Sequence, residues 1–209
     1  MFNKNIRKNY KNKIIPSLVL ALVFILILSL LVSFKANYNN IYNRIEVLGT
    51  ATNDNWPGDS NNKTQNTQKP LVQSPEVNLS NYENTVLYLI NTVRAGNGLN
   101  ALMPNQILTG ISRSRSTDMI NRDYFAHCTP DGKNILDILK ECGVKYRNAG
   151  ENLAQSKPAD YGDPEAFVDA WMESPSHAAN ILRGCYKMIG IGVSDNRDRR
   201  VLTIVFKNF

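Results

Sequence analysis

From Ile14 to Phe34 the chain is almost continuously apolar, broken only by Pro16, Ser17, Ser29 and Ser33. At about 1.5 Å of rise per residue, about 20 helical residues cross a hydrocarbon core of about 30 Å, so this run predicts one transmembrane helix. From Asn37 to about Val77 the pattern dissolves into Asn, Thr, Gln, Asp, Ser and Pro. Large apolar residues are sparse there and follow neither a helical nor a strand period. Such a stretch buries too little surface to offset its chain entropy, which predicts a disordered spacer over residues 37–78. Ile41, Tyr42, Ile45, Val47 and Leu48 read as a juxtamembrane continuation of the helix.

Periodicity returns at Leu79 and holds to the last residue. Ser80-Asn81-Tyr82-Glu83 is a capping box, followed by Val86, Leu89, Ile90 and Val93 at helical spacing, with Gly96 and Gly98 as the stop. Asn105 to Met119 predicts a second helix with Leu108, Ile111 and Met119 inward and an opposite face rich in hydroxyls and arginine. Thr129-Pro130-Asp131-Gly132 is a turn. Ile135, Ile138, Leu139 and Cys142 form a third amphipathic helix that Gly143 ends, with Cys142 on its apolar, inward face. Asp163-Pro164-Glu165 supplies an N-cap, a proline at the first helical position and an early acid for a helix burying Phe167, Val168 and Trp171. Ile189, Ile191 and Val193 alternate with smaller residues, then a polar turn leads to Val201–Phe206, predicting a closing hairpin. The fold class expected for residues 79–209 is α+β, a sandwich of helices on a sheet with non-local strand pairing.

Charge sharpens the organisation. The chain has 209 residues and a formal charge of +6. Six of its 24 cations lie in residues 1–35, where no acid occurs, so the other 18 cations balance all 18 acids. The basic excess is a property of the N-terminal end and argues against a nucleic-acid partner. Arg197, Arg199 and Arg200 read as a solvated hairpin tip. Cations before the apolar run orient it with the N-terminus in the cytoplasm and the rest outside. The run is longer than the core of a cleaved signal peptide, and Val32-Ser33-Phe34-Lys35-Ala36 is a poor cleavage site, so an uncleaved signal anchor is expected over residues 1–36. Cleavage would instead give a secreted protein.

The candidate chemistry converges on three residues. The chain has two histidines, His127 and His177, flanking Asn148-Ala149-Gly150-Glu151-Asn152-Leu153-Ala154 at comparable distances. Two imidazoles and one carboxylate are the donor set of an open, catalytic-type Zn²⁺ site. There is no His-Glu-x-x-His helix, so no protease mechanism follows from local sequence. The bland alternative is a cluster that only orders loops. Cys128, Cys142 and Cys185 allow at most one internal disulfide, whose pairing sequence does not give.

Several motifs stand in one order. Asp118-Met119, Tyr124-Phe125-Ala126-His127, Pro130-Asp131-Gly132, Ala149 to Ala154, Trp171 to His177, Asn180-Ile181-Leu182 and Ile189-Gly190-Ile191-Gly192-Val193 together resemble the bacterial branch of the CAP superfamily. That superfamily takes its name from cysteine-rich secretory proteins, antigen 5 and pathogenesis-related proteins. The resemblance covers residues 80–209. It implies a three-layer α-β-α sandwich with a cleft of two histidines and up to two acids, in some members holding a divalent metal. His127 and His177 would be the cleft histidines and Glu151 the first acid. The second acid has no clear counterpart: its usual position is Ser174, with Glu173 adjacent. Arg115 stands where many relatives carry histidine. The resulting expectation is a membrane-anchored, extracytoplasmic CAP-domain protein that binds an envelope, lipid or protein ligand at the cleft. The alternative is a Zn²⁺-dependent hydrolase using His127, Glu151 and His177 as catalytic and metal-binding residues on a cell-wall, peptide or other extracellular substrate. A structural envelope protein with a vestigial cleft is the third reading.

Overall fold

The computed structural model describes residues 22–33, 35–36, 44–51 and 77–209. The chain divides into two compact units, Met1–Asn43 and Arg44–Phe209. In the first, residues 22–33 are helical and their apolar side chains are exposed. Among the described residues no helix is long and apolar enough to cross a membrane. The predicted span 14–34 extends beyond them, since residues 14–21 and 34 lie outside the described residues.

The second unit is built on a five-stranded sheet. Its strands are β1 (Ile45–Ala51), β2 (Met103–Pro104), β3 (Ala149–Ser156), β4 (Met188–Asp195) and β5 (Arg200–Lys207), in spatial order β1-β3-β5-β4-β2. All neighbouring pairs are antiparallel except β2 with β4. The helices are α1 (Asn81–Gly96), α2 (Gln106–Asn121), α3 (Ile135–Glu141), α4 (Pro164–Glu173) and α5 (Pro175–Ile181). Their ends follow the local chemistry. Ser80 and Glu83 cap α1 reciprocally, Asp163 accepts from Ala166 N–H at the start of α4, and Gly143, at φ +68°, lets the chain leave α3.

Strand alternation sorts the side chains into two cores. Leu202, Ile204 and Phe206 of β5 point to the side covered by α1 and α4, with Val86, Ile90, Phe167 and Trp171. Val201 and Val205 point the other way, toward Met119 and Leu108 of α2 and Leu139 of α3. The sheet therefore lies between two helical layers.

Three expectations need correction. Residues 45–51 are a strand of this sheet rather than spacer or juxtamembrane helix. Ile45 and Val47 pack on the α1/α4 side while Leu48 packs with Leu153 and Val201 on the other. This alternation is too short to assert itself without the β3 edge, which lies about a hundred residues later in the chain. The hydroxyl-rich face of α2 is buried as well: Thr109, Ser112, Arg115 and Ser116 are all inside. The reason is Gly190 and Gly192 on β4. A Cβ at Gly192 would stand 2.0 Å from the Arg113 nitrogen, so the helix backbone lies directly on the strand and only small side chains fit between them. Ser116 Oγ donates to the Gly192 carbonyl at 2.7 Å. Finally, the arginine run is not a solvated tip, because Arg199 folds under it to the Met119 carbonyl and to Asp123.

Candidate functional site

Glu151 is the third residue of β3, on the face turned to α2, and is completely buried. A buried carboxylate needs a partner of opposite charge and donors for its lone pairs. Arg115, one helical face away on α2 and 3 % exposed, supplies both. Its Nε donates to Glu151 Oε1 at 3.0 Å and one terminal nitrogen donates to Oε2 at 3.4 Å. That nitrogen also donates to the Ala126 and His127 carbonyls, and the other terminal nitrogen donates to the Tyr124 hydroxyl at 2.9 Å. One guanidinium thus ties the strand carboxylate to the loop that carries His127. His127 Nδ1 lies 2.8 Å from Glu151 Oε2, so two donors share that oxygen. Tyr124 in turn donates to Asp118 at 2.6 Å. Burial, with the hydrogen bond to Asp118, pushes the Tyr124 hydroxyl up to about 12, against a smaller opposing pull from Arg115. For Arg115 itself burial is the largest single influence and works downward, but the Glu151 charge and hydrogen bond together with Tyr124 outweigh it, so the group is held cationic.

His177 takes a different position. It is the third residue of α5, 3 % exposed, and its Nδ1 is 2.7 Å from the Ser174 hydroxyl. Its Nε2 is buried against the backbone of Leu48 and Gly49 in β1. Burial lowers its pKa, contact with the Leu48 backbone draws it partly back, and the proximity of His127 lowers it again, leaving the ring neutral at pH 7. The Asn152 side chain donates to the His177 carbonyl at 3.2 Å, and Asn180 donates to Asn152 at 2.9 Å, so an amide pair fixes α5 to β3. Glu173 is exposed at the end of α4, where its charge acts on Asp169. Of the three residues expected at the site, His127 and Glu151 are in contact and His177 is nearby. At the usual position of a second acid stands Ser174, whose hydroxyl orients the histidine. Cys128, Cys142 and Cys185 are free and exposed, contrary to the inward placement expected for Cys142.

The sequence profile of the cysteine-rich secretory protein family matches residues 87–208, more than half of the chain. The chain belongs to the CAP family. Two Bacillus subtilis proteins resemble it: YkwD, 37 % identical over 54 % of this chain, and the membrane protein YlbC, 32 % identical over 58 %. The matched stretch spans 43 % and 33 % of those relatives' own lengths. Among solved structures, an extracellular protein containing an SCP domain from Bacillus anthracis superposes with TM-score 0.55 at 26 % identity, covering 61 % of this chain and 40 % of that one. An outer surface protein of Borrelia burgdorferi shares the fold, with TM-score 0.54 at 16 % identity over 60 % of this chain and 90 % of that one.

The divalent metal that the CAP resemblance implies does not fit the donors present. Both Glu151 oxygens already accept from Arg115 and His127, and a buried guanidinium supplies the positive charge a dication would bring. Among the described residues no group of three or more His, Cys, Asp or Glu side chains is arranged to hold a metal ion. Arg115 is the residue that motif reasoning marked only as a departure, and here it is the centre of the network. Its signal was present in the sequence: an arginine on a helix face otherwise lined with small hydroxyl residues.

Proposed function

We propose that this CAP-domain protein is a binding module held at the outer face of a cell membrane. The observation that carries this reading is the saturation of Glu151. A buried carboxylate that accepts from Arg115 and His127 at once is a rigid support for the His127 loop rather than a base or a metal ligand. The envelope location draws support from the apolar run 14–34 with its basic flank, from the exposed apolar side chains of residues 22–33, and from relatives described as a membrane protein and an extracellular protein.

The metal-dependent hydrolase is the alternative, and calorimetric titration of Zn²⁺ into the full chain in detergent at pH 7.5 separates the two. The binding-module reading expects no one-equivalent site. A one-equivalent site that disappears in both His127→Ala and His177→Ala overturns it in favour of the hydrolase.

A further inference from the structure

We propose that the β1-side edge of β3 beside Glu151 and His177 is an acceptor site for an extended peptide, which residues 45–51 of this chain occupy as an intramolecular, displaceable ligand. This rests on the binding-module reading and names the class of its ligand. The pairing is a continuous antiparallel ladder from Ile45↔Ser156 to Ala51↔Gly150, with Gly49 opposite Asn152 and Thr50 opposite Glu151. The inserted strand therefore runs along the two residues at the centre of the site. It also comes from outside the stretch 87–208 that the family shares, and 25 residues, 52–76, separate it from the rest of the domain in sequence.

Burial distinguishes the strand from its neighbours. Every residue of β3 is buried, whereas Ile45, Val47, Leu48 and Gly49 are only partly so and Glu46 is exposed. Lifting β1 away would expose a row of unpaired N–H and C=O groups on β3, the template that strand addition uses. The ladder supplies affinity without regard to side chains, and the surroundings supply selectivity. A Cβ at residue 49 would stand 2.7 Å from His177 Cδ2 and 2.8 Å from its Nε2, and the Ser174 hydroxyl holds that ring in place. The ligand must therefore present glycine opposite Asn152. Two and four residues before it the α1/α4 side takes apolar side chains, as Val47 and Ile45 do, and the residue directly before the glycine takes an apolar side chain on the α2 face, as Leu48 does. Glu46 meets the Gln155 amide. Covalent attachment holds such a segment at an effective concentration on the order of 1 mM, so the site stays closed to weaker free peptides.

The test uses the full chain in detergent and a fluorescein-labelled peptide with the sequence of residues 44–51, read by fluorescence anisotropy. Wild type is expected to bind it weakly. Gly49→Val, which drives the tethered strand against His177, is expected to bind it at least tenfold more tightly. The same peptide with valine in place of its glycine should not bind. A Gly49→Val protein that keeps the wild-type circular dichroism yet gains no binding overturns the proposal. Hydrogen exchange on wild type needs no variant: β1 amides should exchange at least tenfold faster than those of β4 and β5. Equal rates mean that β1 is an integral strand and also overturn the proposal, and a strand-exchanged dimer would assign the edge to a second copy instead. A one-equivalent Zn²⁺ site would count against the binding module and leave both readouts unchanged, so the two failures are distinguishable.

Discussion

At the scale of single residues the site is a buried ion pair with a histidine on either side, and its energetics follow from burial. Removing one partner of a buried pair leaves the other charge without compensation, which costs about 3–5 kcal/mol, whereas replacing both by apolar groups of similar volume is often neutral. Glu151→Gln is thus expected to shift the urea midpoint strongly downward, and Glu151→Leu combined with Arg115→Met to recover most of the loss. Additive losses in the double variant would show that the pair is not coupled. His177 gives a second expectation. Its folded pKa is depressed below the usual 6.5 by burial, so between the two values the unfolded chain binds more protons than the native one. Stability should be flat above about pH 6.5 and fall as the pH drops from there toward the folded value. Thermal melts from pH 8 to 5 should show that slope in wild type and a shallower one in His177→Asn. Motif spacing named His127, Glu151 and His177, but the pairing of Glu151 with Arg115 was not legible. Thirty-six residues separate the two, and only the packing of α2 across the sheet, on β4 and β5, brings them together.

At the scale of elements, the caps and amphipathic stripes of α1, α3 and α4 were readable because each is decided within about a dozen residues. The inward hydroxyl face of α2 was not, because it depends on glycines in β4 some eighty residues downstream. That dependence gives a third expectation. Gly192→Ala would set a methyl group against the α2 backbone, where the nearest atoms are main chain and cannot rotate away. Overpacking of this kind costs about 1–3 kcal/mol. Gly96→Ala, where an added Cβ meets nothing within 4 Å, should leave the urea midpoint within error of wild type. Equal effects of the two would mean that α2 does not lie on β4 as described. β1 escaped sequence reading for a related reason: seven residues of alternation inside a polar stretch carry no signal until the partner strand is known.

At the scale of the whole molecule, the anchor reading predicts that protease treatment of intact cells releases a folded fragment containing residues 77–209. Recovery of a secreted protein beginning near Ala36 would instead mean that the N-terminal segment is cleaved. The order of the sheet bears on how such a protein is made. β5 is the strand between β3 and β4, and in the chain it comes after both. While residues 200–207 are still inside a ribosome or an export channel, the two strands it joins have no backbone partner between them and neither core can close. On the anchor reading, this unit stays loose until β5 has emerged, the state in which a translocon can carry it. Folding of the sheet then waits for β5, slowed by pairings distant in sequence.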